Sequence, residues 1–114
     1  MPRNISFALT TDQFRNRTKT VTRRLGWKNV KPGDILMACE KCMGLKPGET
    51  LQRLGLIRVV DARREVLTAI TDEDVAREGF PGKDGRWFVD MFIREMKPKS
   101  FHREIVTRIE FEYL

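Results

Sequence analysis

The chain has 114 residues, of which 40% are apolar and 33% charged, with a formal net charge of +6. That length supports one core and excludes two domains, and no apolar run approaches the roughly 18 residues that a membrane span needs. The opening MPRNISF carries no apolar signal segment, and two cysteines are too few for a disulfide framework, so the chain reads as cytoplasmic.

Residues 5–9, ISFAL, predict a short buried strand. Thr10 and Gln13 then have capping-box spacing, with Leu9 and Phe14 at the staple positions, so a helix is expected from about Thr11 to Arg17. KTVTRRLGW reads as extended, because threonine and valine pack well on a pleated surface. KPGD at 31–34 is a turn, and DILMACE leaves it as a second strand. A Gly/Pro-containing loop follows. LQRLGLIRVVDARREVLTAI carries a long strand with a break near Asp61 and a shorter strand beyond it.

Thr71 is an N-cap followed by Asp72, Glu73 and Asp74, which suit the positive end of a helix dipole. That helix is short: Glu78 is its last good residue, and Gly79 can close it in a left-handed conformation. In GRWFVDMFIREM, Phe88, Met91, Phe92 and Met96 recur at helical spacing and read as core. The final EIVTRIEFEYL alternates strictly, with Ile105, Thr107, Ile109, Phe111 and Tyr113 on one face, as in a half-buried strand. There is no βαβ alternation, no phosphate-binding glycine loop and no repeat. The expected fold is therefore α+β in a single domain, 1–114, with a small, mostly antiparallel and strongly curved sheet that closes into a barrel flanked by short helices.

Charge is concentrated near the start. Arg3, Arg15, Arg17, Lys19, Arg23, Arg24 and Lys28 face only Asp12 within the first 30 residues. Such density points to a polyanion, and RNA or a modified nucleoside is the expected partner. KTVTRR itself has three readings: an edge strand protected by charge, a surface that contacts nucleotides through Arg17, Arg23, Arg24 and Lys28, or a lysine and threonine arranged for chemistry. Trp27, amid cations, either stacks a base or plugs the end of a barrel. Arg77 is a phosphate contact or plain surface, and Glu78 is a solvated helix-end acid or a functional one. Cys39 and Cys42 have zinc-knuckle spacing, but a structural zinc takes four ligands and His102 lies far away in sequence, so reduced thiols are expected and no cofactor.

SFALTTDQFRNRTKTVTRRLGW followed by KPGD resembles the opening of an ASCH domain of the PUA-like superfamily, and DVAREGF extends the similarity into the second helix. The resemblance implies a small β-barrel with flanking helices and a cleft associated with RNA. Within that family the Lys-Thr-x-Thr run and a glutamate late in the helix after the central strands are similar to the small bacterial N4-acetylcytidine amidohydrolases. By that likeness Thr22 is the nucleophile, with Lys19 and Glu78 handling protons, and the reaction is deacylation of an N4-acylated cytidine. Other members imply a non-catalytic RNA-binding module or an RNA-cleaving enzyme. The CEKCMGLKPGET segment and the Arg23-Arg24 pair depart from the minimal amidohydrolase pattern and point to a different substrate. A monomer is favoured.

The chemistry sets two conditions. Threonine is a weak nucleophile and needs a base within about 3 Å; lysine serves only when neutral, which burial and neighbouring cations promote and a nearby carboxylate opposes. In a regular strand Lys19 and Thr22 point to opposite faces. Lys19 must therefore precede the strand proper if both are to reach one site.

Overall fold

The computed structural model describes residues 2–42 and 44–114. In chain order it contains β1 (Arg3–Ser6), α1 (Thr11–Arg15), β2 (Val21–Arg24), β3 (Ile35–Cys39), β4 (Arg53–Val66), α2 (Asp72–Arg77), α3 (Gly85–Met96) and β5 (Ile105–Tyr113). Single 3-10 turns, Leu67–Ala69 and Phe101–Arg103, lead out of β4 and into β5. No helix among the described residues is long and apolar enough to cross a membrane.

The five strands form one sheet in the order β1-β3-β4-β5-β2. Three pairings are antiparallel, but β1 runs parallel to β3, so the sheet is mixed where a mostly antiparallel one was expected. The parallel pair arises because α1 and β2 intervene between β1 and β3, leaving β3 to return beside β1 in the same direction. The sheet curls into half a barrel. Its two edge strands come near each other: the Arg24 guanidinium at the end of β2 lies 4.9 Å from the Phe7 ring centroid just after β1.

The expected break near Asp61 is a β-bulge. β4 is continuous over 14 residues, and its register against β5 slips between Val59 and Asp61. One extra residue bends and twists a strand without ending it, which helps a long strand follow a curled sheet.

Both faces of the sheet are covered. Ile5, Phe7, Leu36, Ile57, Ile109 and Phe111 form the inner core with Phe14 of α1. Leu67, Val75, Phe88, Phe92 and Val106 form a second core under α2 and α3. The face of β5 predicted to meet water is therefore partly sealed, and Arg108 on it is buried.

Local signals predict the helices well. Thr71 Oγ1 accepts from the Asp74 amide at 3.1 Å, and Asp84 caps α3 through the Trp87 amide at 2.9 Å. At Thr10 the predicted box is absent: its side chain makes no cap hydrogen bond, and Leu9 is half exposed. Phe14 instead stacks into the aromatic group of Phe7, Phe111 and Tyr113. Burial of that ring anchors α1 in place of the cap.

Candidate functional site

β2 starts at Val21, so Lys19 lies before the strand proper. Arg17, at φ 62, turns the chain out of α1. The Thr20 amide donates to the Arg77 carbonyl at 2.8 Å, and the Tyr113 hydroxyl donates to the Lys19 carbonyl. These bonds tie the segment between α1 and β2 to the end of α2 and to β5. Gly79 makes the close approach possible. At φ 106, a Cβ there would sit 2.8 Å from Cβ and Cγ of Gln13 and 3.5 Å from Cβ of Lys19.

The consequence is a cavity of about 240 Å³. It is bounded by residues 6–10 after β1, by Lys19 and β2, by Glu78 at the end of α2, and by α3. One wall is apolar, with Phe7, Leu9, Phe80, Phe88, Phe92 and the flexible Met91 and Met96. The other carries Lys19, Thr22, Arg23, Arg24 and Glu78. The structure therefore brings Lys19 and Thr22 together with Glu78, distant in the chain, around one half-open cavity. Glu78 is buried and is not the solvated helix-end acid of the alternative reading.

Lys19 Nζ donates to Glu78 Oε1 at 2.8 Å and to the Glu78 carbonyl at 2.8 Å. Burial pushes the Lys19 amine below the ordinary lysine value; Glu78 opposes that shift, and the nearby Arg24 and Arg23 add to it. Of the influences weighed from sequence, burial and the cations favour a neutral amine and the Glu78 carboxylate opposes it. No hydrogen bond joins Lys19 to Thr22. The Thr22 hydroxyl oxygen accepts from Arg24 Nε at 3.0 Å.

Behind the cavity lies an ion network that the sequence did not reveal. Arg23 donates to Glu78 Oε2 at 3.1 Å, to Glu65 Oε1 at 2.6 Å and to Asp74 Oδ2 at 2.5 Å. Arg108 forks onto both oxygens of Asp74, at 2.7 and 2.9 Å. Burial alone would raise the Asp74 carboxyl, but hydrogen bonds from Arg108, Arg23 and Arg77 hold it well below the usual range. Arg23 and Arg108 are direct cross-strand partners, a like-charge pairing that would repel without Asp74 between them. Knowing the register of β2 against β5 would have exposed the need for that carboxylate. In the sequence, Asp74 passes for an ordinary first-turn acid.

The other expected nucleotide contacts scatter. Arg23 is buried against three carboxylates and offers no free surface. Arg77 is about half exposed and paired with Asp74 at 3.0 Å. Arg17 is exposed, with its guanidinium 5.1 Å from the Tyr113 ring centroid. Lys28 is exposed. Trp27 is partly buried against the inner core, with the Arg3 guanidinium 3.7 Å over its ring.

Cys39 and Cys42 are free thiols, and burial pushes Cys39 up to about 11. Among the described residues no group of three or more His, Cys, Asp or Glu side chains could hold a metal ion. A second, more open cavity of about 520 Å³ at the start of α3 contains Asp72, Asp84, Asp90 and His102. Two of its carboxylates are already spent, on the Gly85 and Trp87 amides.

Fold and site together define a small α+β protein with a half-barrel sheet and a half-open cavity, charged on one wall, beside one sheet edge. No protein-family model matches the chain, and no curated protein matches it. In fold it is similar to the crystal structure of protein EF3133 from Enterococcus faecalis V583, described by the family model DUF984. The TM-score is 0.68 at 14% sequence identity, over 100% of this chain and 80% of that one. That likeness concerns the fold alone.

Proposed function

We propose that the protein is an ASCH-like, PUA-like domain that binds a modified nucleoside and hydrolyses the amide of an N4-acylated cytidine. The observation that carries this reading is the meeting of Lys19, Thr22 and Glu78 around one cavity of about 240 Å³, with the lysine amine buried. That volume lies just below the usual range for ligand pockets, which starts at about 300 Å³, and it suits a single base better than a strand. The aromatic wall from Phe80, Phe88 and Phe92 offers a flat base an apolar surface.

In this mechanism Glu78 takes the ammonium proton of Lys19 and leaves a neutral amine. Lys19 swings from Glu78 toward Thr22 and accepts its hydroxyl proton; active-site hydrogen bonds often close only when substrate is bound. Thr22 Oγ1 forms a bond to the acyl carbon, and the carbonyl electron pair moves to oxygen. The intermediate collapses with cleavage of the bond to N4, which receives the proton from Lys19, leaving cytidine and an acyl ester on Thr22. Water then attacks the ester, gives its proton to Lys19, and the acid departs as Thr22 regains its hydrogen. Arg23 holds Glu78 by the second carboxylate oxygen throughout.

A surface for RNA would need the basic run to be exposed. Lys19 and Arg23 are buried, so the run presents fewer cations to a phosphate backbone than its sequence suggests. The test is a turnover assay with N4-acetylcytidine, other acylated nucleosides and intact RNA. Release of cytidine, little affected by salt and lost in Thr22→Ala, supports the deacylase. Steeply salt-dependent RNA binding without turnover supports the binding module, and RNA fragments without deacylation support a ribonuclease.

A further inference from the structure

Arg24 is the one cation of the cavity wall that has no carboxylate partner among the described residues. The Glu78 oxygens go to Lys19 and Arg23, the Asp74 oxygens to Arg23, Arg108 and Arg77, and Glu65 to Arg23 and Arg63. Arg24 donates through Nε to Thr22 Oγ1 at 3.0 Å and rests on the Phe7 ring. Among the described residues neither of its terminal Nη nitrogens meets a protein acceptor, and no buried side-chain nitrogen is left unsatisfied. Those nitrogens therefore open to the cavity that Arg24 lines.

Arg24 is half-buried and meets no carboxylate among the described residues, and the fixed fork of a guanidinium suits two acceptor atoms side by side. Burial lowers Arg24 to about 10, so it stays cationic at neutral pH. One acceptor position of that fork is already filled, by the hydroxyl oxygen of Thr22. The neighbouring position lies beside that oxygen, where a carbonyl attacked by Thr22 would place its own oxygen.

We propose that Arg24 is the receptor for the acyl oxygen of the ligand, a catalytic residue that binds the ground-state carbonyl weakly and the developing oxyanion strongly. This rests on the deacylase reading for its reaction, while the capture of a carboxylate or carbonyl oxygen beside Thr22 stands on the geometry. The same nitrogens would receive the carboxylate of the released acid.

The experiment has two arms on the full chain. In the first, Arg24→Ala and Arg24→Lys are compared with wild type in N4-acetylcytidine turnover, after circular dichroism and melting show which variants fold. Loss of an oxyanion donor typically costs about 100- to 1,000-fold in kcat. The expected result is a loss of that order with KM changed little, persisting in Arg24→Lys and partly rescued in Arg24→Ala by added guanidinium ion. A folded Arg24→Ala within about threefold of wild type overturns the proposal and leaves the deacylase reading intact.

The second arm needs no turnover. Acetate is titrated into labelled wild type while the Arg24 side-chain N–H resonances are followed by NMR. Saturable shifts that vanish in Arg24→Gln support the receptor even where wild type hydrolyses no acylcytidine, an outcome that sinks only the deacylase. Resonances unmoved by acetate in a protein without turnover overturn the proposal.

Discussion

Lys19 Nζ lies 2.8 Å from Glu78 Oε1 across 59 residues of chain, and both side chains are buried. A buried ion pair of this kind adds little net stability, but breaking it from one side strands a charge. Glu78 is the one carboxylate that meets Lys19 among the described residues, so its removal strands the lysine, while Arg23 keeps Asp74 and Glu65. Glu78→Ala is therefore expected to destabilise by about 3–5 kcal/mol. Lys19→Met, which leaves Glu78 paired with Arg23, should cost clearly less. Chemical denaturation of both variants checks the order, and equal losses would remove the asymmetry.

Lys19→Met and Thr22→Ala should both abolish deacylation while the fold persists. Glu78→Gln should lower kcat more than it raises KM. Near-normal turnover in Thr22→Ala would leave the proposed reaction without its nucleophile.

The pH profile follows from Lys19. Its amine is held below the ordinary 10.5, chiefly by burial. If the neutral amine is the base, kcat/KM rises with pH through that lowered value and levels above it. Stability has the same sign: between the lowered value and 10.5 the unfolded chain binds a proton that the folded chain does not, so stability rises with pH across that window. Lys19→Met should flatten both limbs, as measured by turnover and by urea denaturation across pH.

Asp74 gives the opposite edge of the stability curve. Its carboxyl is depressed in the folded state from an ordinary 3.8, so it contributes stability above that pH that is lost as pH falls below it. Asp74→Asn leaves Arg23 and Arg108 facing each other and should cost about 3–5 kcal/mol. Thermal melts at neutral pH and in acid would show the variant less stable and less sensitive to acid than wild type. A variant that melts as wild type does would mean the network contributes nothing.

Gly79→Ala tests how the site is assembled. The new methyl would meet Gln13 side-chain carbons at 2.8 Å in a left-handed conformation. A loss of more than about 1 kcal/mol is expected, since Ala is strained at positive φ and Gln13 must also move. Because Gly79 abuts Lys19, turnover should fall further than stability alone explains. Compare Gly33→Ala, where a Cβ meets nothing within 4 Å and the strain of positive φ remains.

Elements whose determinants are local were legible. The Thr71 cap and the Gly79 stop rest on contacts within a few residues and are present; the α3 stripe is core at Phe88 and Phe92, but Met91 is only partly buried and Met96, at the helix end, is exposed. The Thr10 box failed because Phe14 found a better anchor in Phe7 and Tyr113, residues far apart in the chain. The irregularity near Asp61 is local and legible, but its effect is not: a bulge there bends β4 along the curled sheet and does not end it.

By itself the sequence determined the Thr71 cap, the alternation of the last strand and the surplus of positive charge, and it stated the condition that Lys19 precede β2 without deciding it. Only the tertiary structure decided which charges are buried and which carboxylate each one meets. Asp74, Glu65 and Arg108 look like surface residues until α2 is laid on the face of β5. The physical reason is that caps and periodicity act over one turn or one pleat. The balance of buried charge depends instead on strand register and helix docking, which sum over the whole chain.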